Sequence, residues 1–195
     1  MRRVFLSLLS LMLSSCMQAS PEDRLSKIET DLERDFPRIS HVKPDELASR
    51  IAQYQTERVD VRREGVILFD VREPEEFAVG HLPGAIRIDP NARGQDVLAT
   101  LKSEAAEDCP QVVFYCSVGV RSSVLAERAR VALQAAGCPL PENLRGGVFA
   151  WHNQKRVLEN AEGPTDFVHP YDRSWGRLLI RQDAVMLPVQ ERKAG

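Results

Sequence analysis

Apolar positions along the chain fall into short dense runs separated by longer stretches with helical spacing, and that alternation predicts strands joined by helices. Val66-Ile67-Leu68-Phe69 and Val112-Val113-Phe114-Tyr115 are uninterrupted runs of β-prone residues, as expected for strands buried on both faces. Ile39-Ser40-His41-Val42, Ala85-Ile86-Arg87-Ile88 and Asn143-Leu144-Arg145 are shorter strand candidates. Helical stretches lie between them: Pro44 to Gln53, a short one opening at Glu73-Pro74, one within Asn91 to Glu107, and Ser122 to Gly137 with its alanines and glycine stop. Val148-Phe149-Ala150-Trp151 opens another. Strands alternating with helices predict an α/β fold with a parallel sheet covered on both faces.

The two ends of the chain depart from this pattern. Met1-Arg2-Arg3 is positively charged, and Val4 to Leu13 is apolar apart from Ser7 and Ser10, too short for a permanent membrane span but the length of an export signal. It ends in Leu13-Ser14-Ser15-Cys16, which resembles the lipobox of bacterial lipoproteins. That resemblance implies a signal peptide over residues 1–15, a lipid on Cys16, and a periplasmic protein anchored to a membrane; Met17 after the cysteine favours the outer membrane. Residues 16–38 are polar, with Leu25, Ile28, Leu32 and Phe36 at helical spacing, and read as a tether or a short amphipathic helix covering the domain. Residues 39–160 make the domain. Residues 161–195 are too aromatic for a disordered end and are expected to pack back, covering a hydrophobic edge, with closure over the site as the alternative.

Length and charge narrow the partners. A chain of 195 residues fits one core with extensions. With 26 basic and 28 acidic residues the bulk charge that draws proteins onto nucleic acid is missing. In an exported chain disulfides are permitted. Cys109 precedes the strand leading to Cys116, and Cys138 follows the returning helix, so both are expected at the sheet end away from Cys116. Pairing Cys109 with Cys138 would leave Cys116 free; two unpaired thiols are the alternative, because spacing does not fix the Cα separation of about 4.4–6.8 Å that a bridge needs.

Cys116 is the candidate nucleophile. It stands at a strand's carboxyl end, where open α/β sheets bind ligands, and Ser117-Val118-Gly119-Val120-Arg121 carries the chain into a helix whose unpaired N–H groups suit an anion or a thiolate. Only the thiolate attacks well, and a helix N-terminus and a nearby arginine favour it over a free thiol of pKa about 8.5. Ser117, Val118, Gly119 and Val120 are expected to supply backbone donors, and Arg121 a bidentate partner for a substrate oxyanion. Asp70 and Arg72 close the neighbouring strand; they either line the entrance and support the loop or form an architectural ion pair. His81 reads as a turn residue, and His41, His152 and His169 have no ligand spacing, so neither metal nor cofactor is expected.

Four segments together carry a family resemblance: Leu68-Phe69-Asp70-Val71-Arg72; Glu76-Phe77 with Gly80-His81-Leu82-Pro83-Gly84-Ala85; the Cys116 to Arg121 loop; and Leu144-Arg145-Gly146-Gly147-Val148-Phe149-Ala150-Trp151. In this order they resemble a single rhodanese-like domain. The resemblance implies a three-layer α/β sandwich around a five-stranded parallel sheet. It also implies a sulfurtransferase that takes sulfane sulfur from thiosulfate or a similar small anion, holds it as a Cys116 persulfide, and passes it to a thiophilic acceptor or redox protein. The loop from Cys116 to Arg121 has the six residues of the family's sulfurtransferases, whereas the related phosphatases and arsenate reductases have seven. The reading from a different class is a non-catalytic module that binds an anion or a protein in the cell envelope.

Overall fold

The computed structural model describes residues 19–56, 65–105 and 109–187. The export signal and Cys16 lie outside the described residues.

The chain folds into a five-stranded, wholly parallel sheet between helices, the α/β sandwich expected of it. Its strands are β1 (Ser40–Val42), β2 (Val66–Asp70), β3 (Ile86–Arg87), β4 (Gln111–Tyr115) and β5 (Glu142–Leu144), in the spatial order β1-β5-β4-β2-β3. The dense apolar runs became the two inner strands β2 and β4, paired in register from Val66 opposite Gln111 to Asp70 opposite Tyr115. Successive side chains point to opposite faces, so each strand feeds two cores. Leu68, Val113 and Tyr115 join one; Ile67, Phe69, Val112 and Phe114 join the other, where the Phe69 and Phe114 rings stack 5.4 Å apart.

The helices follow from local chemistry. Helix α1 (Pro21–Asp35) starts at Ser20, whose hydroxyl accepts from the Asp23 N–H at 3.1 Å while the Asp23 carboxylate accepts from the Ser20 N–H at 3.2 Å, a reciprocal cap. Its residues Leu25 and Leu32 are buried, so it is a covering helix of the fold and not a free tether. Helices α2 (Pro44–Thr56), α3 (Pro74–Val79), α4 (Gly94–Glu104) and α5 (Val120–Ala135) complete the alternation, with α5 beginning two residues before Ser122. Helix α6 (Gly147–Asn153) follows β5.

Beyond α6 the sequence pattern had no strand to offer, yet β6 (Leu158–Asn160) and β7 (Gly163–Thr165) form an antiparallel hairpin, so the expected boundary at residue 160 falls inside it. The hairpin is held to the domain by reciprocal backbone bonds of 2.9 Å between His81 and Glu159. A 3-10 turn, Trp175–Leu178, then returns to pack beside α1, with Trp175 and Ile28 in the same core.

Cys109 and Cys138 are bonded, with their Cα atoms 5.0 Å apart, joining the approach to β4 to the segment after α5. These two elements carry the Cys116 loop between them. Because the bridge closes a sequence separation of 29 residues, reducing it, or replacing both cysteines by serine, is expected to lower stability by about 3.6 kcal/mol. Urea unfolding with and without reductant measures this, and an unchanged midpoint would show that the bridge does not constrain the chain.

Candidate functional site

Cys116 stands directly after β4 and is 1% exposed, so its sulfur meets the outside only through what the neighbouring side chains leave open. The Gly119 N–H donates to the sulfur at 3.3 Å. Gly119 has φ +102°, a conformation that disfavours a side chain, and a Cβ there would stand 3.0 Å from Asn143 Nδ2 and 3.2 Å from Leu32 Cδ1. The loop is backed by α6: the Val148 and Phe149 N–H groups donate to the carbonyls of Cys116 and Ser117 at 2.9 and 3.0 Å. Gly147 makes that approach feasible, since a Cβ at this residue would come within 2.4 Å of the Cys116 carbonyl oxygen and 2.6 Å of that of Ser117. Gly147 thus lets α6 fix the loop from behind.

Arg121 does not present a free fork to the outside. Its Nη1 and Nη2 donate to the two carboxylate oxygens of Glu76 at 2.7 and 2.8 Å, and Nη2 also donates to the Ser117 hydroxyl at 3.0 Å. Ser117 in turn donates to Glu76 Oε1 at 3.0 Å, so its side chain, as well as its backbone, belongs to the loop's bonding. Arg121, expected as a bidentate partner for a substrate oxyanion, has a carboxylate of the protein on its bidentate face. Burial works to raise the Glu76 carboxyl, but the hydrogen bonds and charge of Arg121, with the Glu73 N–H and Arg72, outweigh it and hold the group below its ordinary range. Burial likewise disfavours the Arg121 cation, and Glu76 together with the Cys116 sulfur more than restores it, raising its pKa. Glu76 belongs to one of the family-like segments, and its place at the start of α3, after the strand neighbouring β4, is the sequence signal for this pairing.

Asp70 and Arg72 do not line the entrance, contrary to one of their two readings. Both are 0% exposed. Arg72 donates from its backbone N–H and Nε to Asp70 Oδ1 at 3.0 and 2.8 Å, and from Nη2 to the Gly80 carbonyl at 2.8 Å. The pair therefore holds the turn around Gly80, behind the site. His81 bonds through Nδ1 to the Phe77 carbonyl at 2.9 Å and stacks on the Phe77 ring, as a turn residue does. Among the described residues no group of histidines, cysteines and carboxylates is arranged to hold a metal ion.

The mouth of the site came from the far end of the sequence. A pocket of about 130 Å³ over the loop is lined by Cys116, Ser117, Val118, Val120 and Arg121, and also by Tyr171 and Trp175 of the C-terminal extension. The Tyr171 ring lies 4.9 Å from the Arg121 guanidinium carbon. The extension thus closes over the site and does not merely cover an edge. Its course is set at Gly80, where a Cβ would come within 2.1 Å of the Phe167 carbonyl oxygen. Three larger clefts, of about 500, 510 and 290 Å³, are not lined by a cysteine; the last, between α1 and the extension, shares Trp175 with the site.

Comparison with known proteins adds a lineage to this geometry. The family model described as Rhodanese-like domain matches residues 43–154. A protein named Sulfurtransferase from Allochromatium vinosum is 30% identical over 125 residues, covering 64% of this chain and 99% of the relative. The uncharacterized protein YqhL of Bacillus subtilis is 40% identical over 84 residues, 43% of this chain; the match spans 59% of that relative's length. Among solved structures, the thiosulfate sulfurtransferase of Pseudomonas aeruginosa is 20% identical with a TM-score of 0.47, over 70% of this chain and 23% of that one.

The buried pair makes stability depend on pH in a definite direction. A carboxyl whose folded pKa is depressed contributes stability that is present above its unfolded value, about 4.5, and is lost as pH falls through the folded value. Glu76→Gln is accordingly expected to cost about 3 kcal/mol at pH 7, by leaving Arg121 partly buried and unpaired, and to cost progressively less as pH falls below about 4.5. Urea unfolding of both proteins across that range checks it; a constant difference at every pH would remove charge from the account.

Proposed function

We propose a function from one premise: the chain belongs to the rhodanese-like domain family. On that premise the site is a sulfurtransferase centre, and Cys116 is its sulfur carrier. The observation that carries this reading is the Cys116 sulfur at the base of a small pocket, held by the Gly119 N–H and next to Arg121, within a six-residue loop.

The chemistry is two displacements at sulfur. In the first, the Cys116 thiolate attacks the outer sulfur of a sulfane donor such as thiosulfate, forming a new S–S bond as the donor's S–S bond breaks and its electron pair leaves with sulfite. The product is a Cys116 persulfide anion. In the second, a thiophilic acceptor attacks the outer sulfur, takes it, and returns the Cys116 thiolate; a thiolate acceptor leaves as a persulfide, and cyanide as thiocyanate. No proton has to move if donor and acceptor are anions, which agrees with a pocket lined by no histidine. Negative charge stays on or next to the cysteine sulfur throughout, and the loop N–H groups and Arg121 favour it there. Among the described residues Cys116 is the one free cysteine, so a persulfide has no neighbouring thiol to attack it.

The lipobox-like Leu13-Ser14-Ser15-Cys16 places this chemistry, in the same proposal, in the bacterial periplasm on a membrane-anchored protein. The Cys109–Cys138 bridge suits an oxidising compartment.

Incubating the full chain with thiosulfate and measuring its intact mass tests the central step. A gain of one sulfur atom, lost on adding cyanide and absent in Cys116→Ser, is expected; no gain with any of several donors would favour an anion- or protein-binding module instead. For the anchor, Cys16→Ala is expected to move the protein from the membrane fraction to the soluble one, and unchanged partitioning would count against lipidation.

A further inference from the structure

The pocket over Cys116 is built from two sources: the loop common to the family match, and two aromatic side chains from beyond residue 154, where that match ends. Tyr171 and Trp175 are held firmly in place. Tyr171 has φ +65°, an unusual conformation for a residue with a side chain, and its N–H is bonded to His169 Nδ1 at 3.0 Å. The next residue, Asp172, accepts from the N–H groups of Ser174 and Trp175 at 2.7 and 2.8 Å, and its carbonyl accepts from Gly176 at 2.9 Å. Behind Trp175, the N–H of Ile180 and the carbonyl of Leu178 are both bonded by the Asn153 side chain at 2.9 Å. A strained residue fixed this thoroughly beside a nucleophile is positioned for use.

What these rings leave open has a definite chemistry. Val118 and Val120 on one side and Tyr171 and Trp175 on the other make the walls mainly apolar. The volume, about 130 Å³, is close to that of a cavity of about 150 Å³ that accepts a single benzene ring. The one cation in the lining, Arg121, is already paired with Glu76 and covered by the Tyr171 ring. A dianion such as thiosulfate would have to shed water here against a cation that is largely neutralised, whereas a donor with one charge and a carbon group would lose less and gain apolar contact.

We propose that Tyr171 and Trp175 make this a site for an organic sulfane-sulfur donor, one carrying a single negative charge and a carbon group of about one ring in size, in preference to inorganic thiosulfate. The carbon group packs between the two aromatic rings and the two valines, and the outer sulfur points at Cys116. For a thiosulfonate the step is balanced: the Cys116 thiolate attacks the terminal sulfur, a Cys116 persulfide anion forms, the donor's S–S bond breaks, and its electron pair leaves with a sulfinate of one negative charge. This inference rests on the sulfurtransferase reading and adds the class of donor to it.

The probe is benzenethiosulfonate, compared with thiosulfate on the full chain by following thiocyanate release with cyanide as acceptor. Wild-type protein is expected to favour benzenethiosulfonate in kcat/KM by about tenfold or more, from the ring contacts and the smaller charge. Tyr171→Ala and Trp175→Ala are each expected to lower that ratio by roughly three- to tenfold, mainly through a higher KM for the aromatic donor, while Tyr171→Phe retains it. Tyr171 is 47% exposed, so its truncation keeps the test open if Trp175→Ala fails to fold. Equal use of both donors by the wild-type protein, or a ratio that Tyr171→Ala leaves unmoved, overturns the proposed donor class while the sulfurtransferase reading stands. No sulfur transfer from either donor overturns that reading, and this one with it.

Discussion

The site depends on the forked contact between Arg121 and Glu76. One partner ends the cysteine loop and the other begins α3, two elements that share no strand pairing, so the carboxylate ties the loop to the neighbouring strand connection. Ser117 bonds to both and becomes the third corner of the arrangement. Removing one member would leave the others buried without their partner, the situation in which a buried charge is most costly. The pair also sets the electrostatics around the sulfur: with Glu76 ionised, Arg121 gives direction to the loop without a large surplus of positive charge.

Around that contact the segments outside the family match act as structure. Helix α1 reaches the loop's far side, where Leu32 stands against Gly119, and Arg145 clasps the helix by donating to Glu29 at 3.0 Å and pairing with Glu33 at 3.3 Å. The C-terminal extension runs past Gly80 and returns to α1 through Trp175. The two segments therefore meet each other beside the cysteine loop.

Much of the architecture was legible because burial is written directly into β2 and β4. A strand covered on both faces has no polar alternation, and two such runs at the right separation leave few options besides a parallel sheet. The β6–β7 hairpin was illegible for the opposite reason: Leu158–Asn160 and Gly163–Thr165 are short, polar and contain a proline, and they are strands only because His81 and one another offer backbone partners. Cys116 was legible from its place between a strand and a helix. The partner of Arg121 was not, since a guanidinium fork fits a protein carboxylate and a substrate oxyanion equally well, and Glu76 lies 45 residues away in sequence. Tyr171 and Trp175 announced that the tail packs, but its path depends on long-range contacts, among them the close approach that Gly80 allows to the Phe167 carbonyl.

For the proposed sulfur carrier in an oxidising periplasm, a reactive sulfur and its surrounding are in tension, and the burial of Cys116 bears on how both can be met. Oxidation of a cysteine follows its thiolate character and its exposure, and a sulfur carrier requires the first of these. Only the second is left to adjust. At 1% exposure Cys116 is reached through a pocket of about 130 Å³ whose outer wall is the extension, so access is controlled by side chains that take no part in activating the sulfur. Under the proposed reading the same wall that narrows access would also decide which donors approach, and protection and selectivity would become one property of the Tyr171–Trp175 turn. The disulfide ties up the other two described cysteines at the sheet's opposite end, where it does not touch the pocket lining. Among the described cysteines, geometry thereby leaves one sulfur, that of Cys116, open to the proposed exchange.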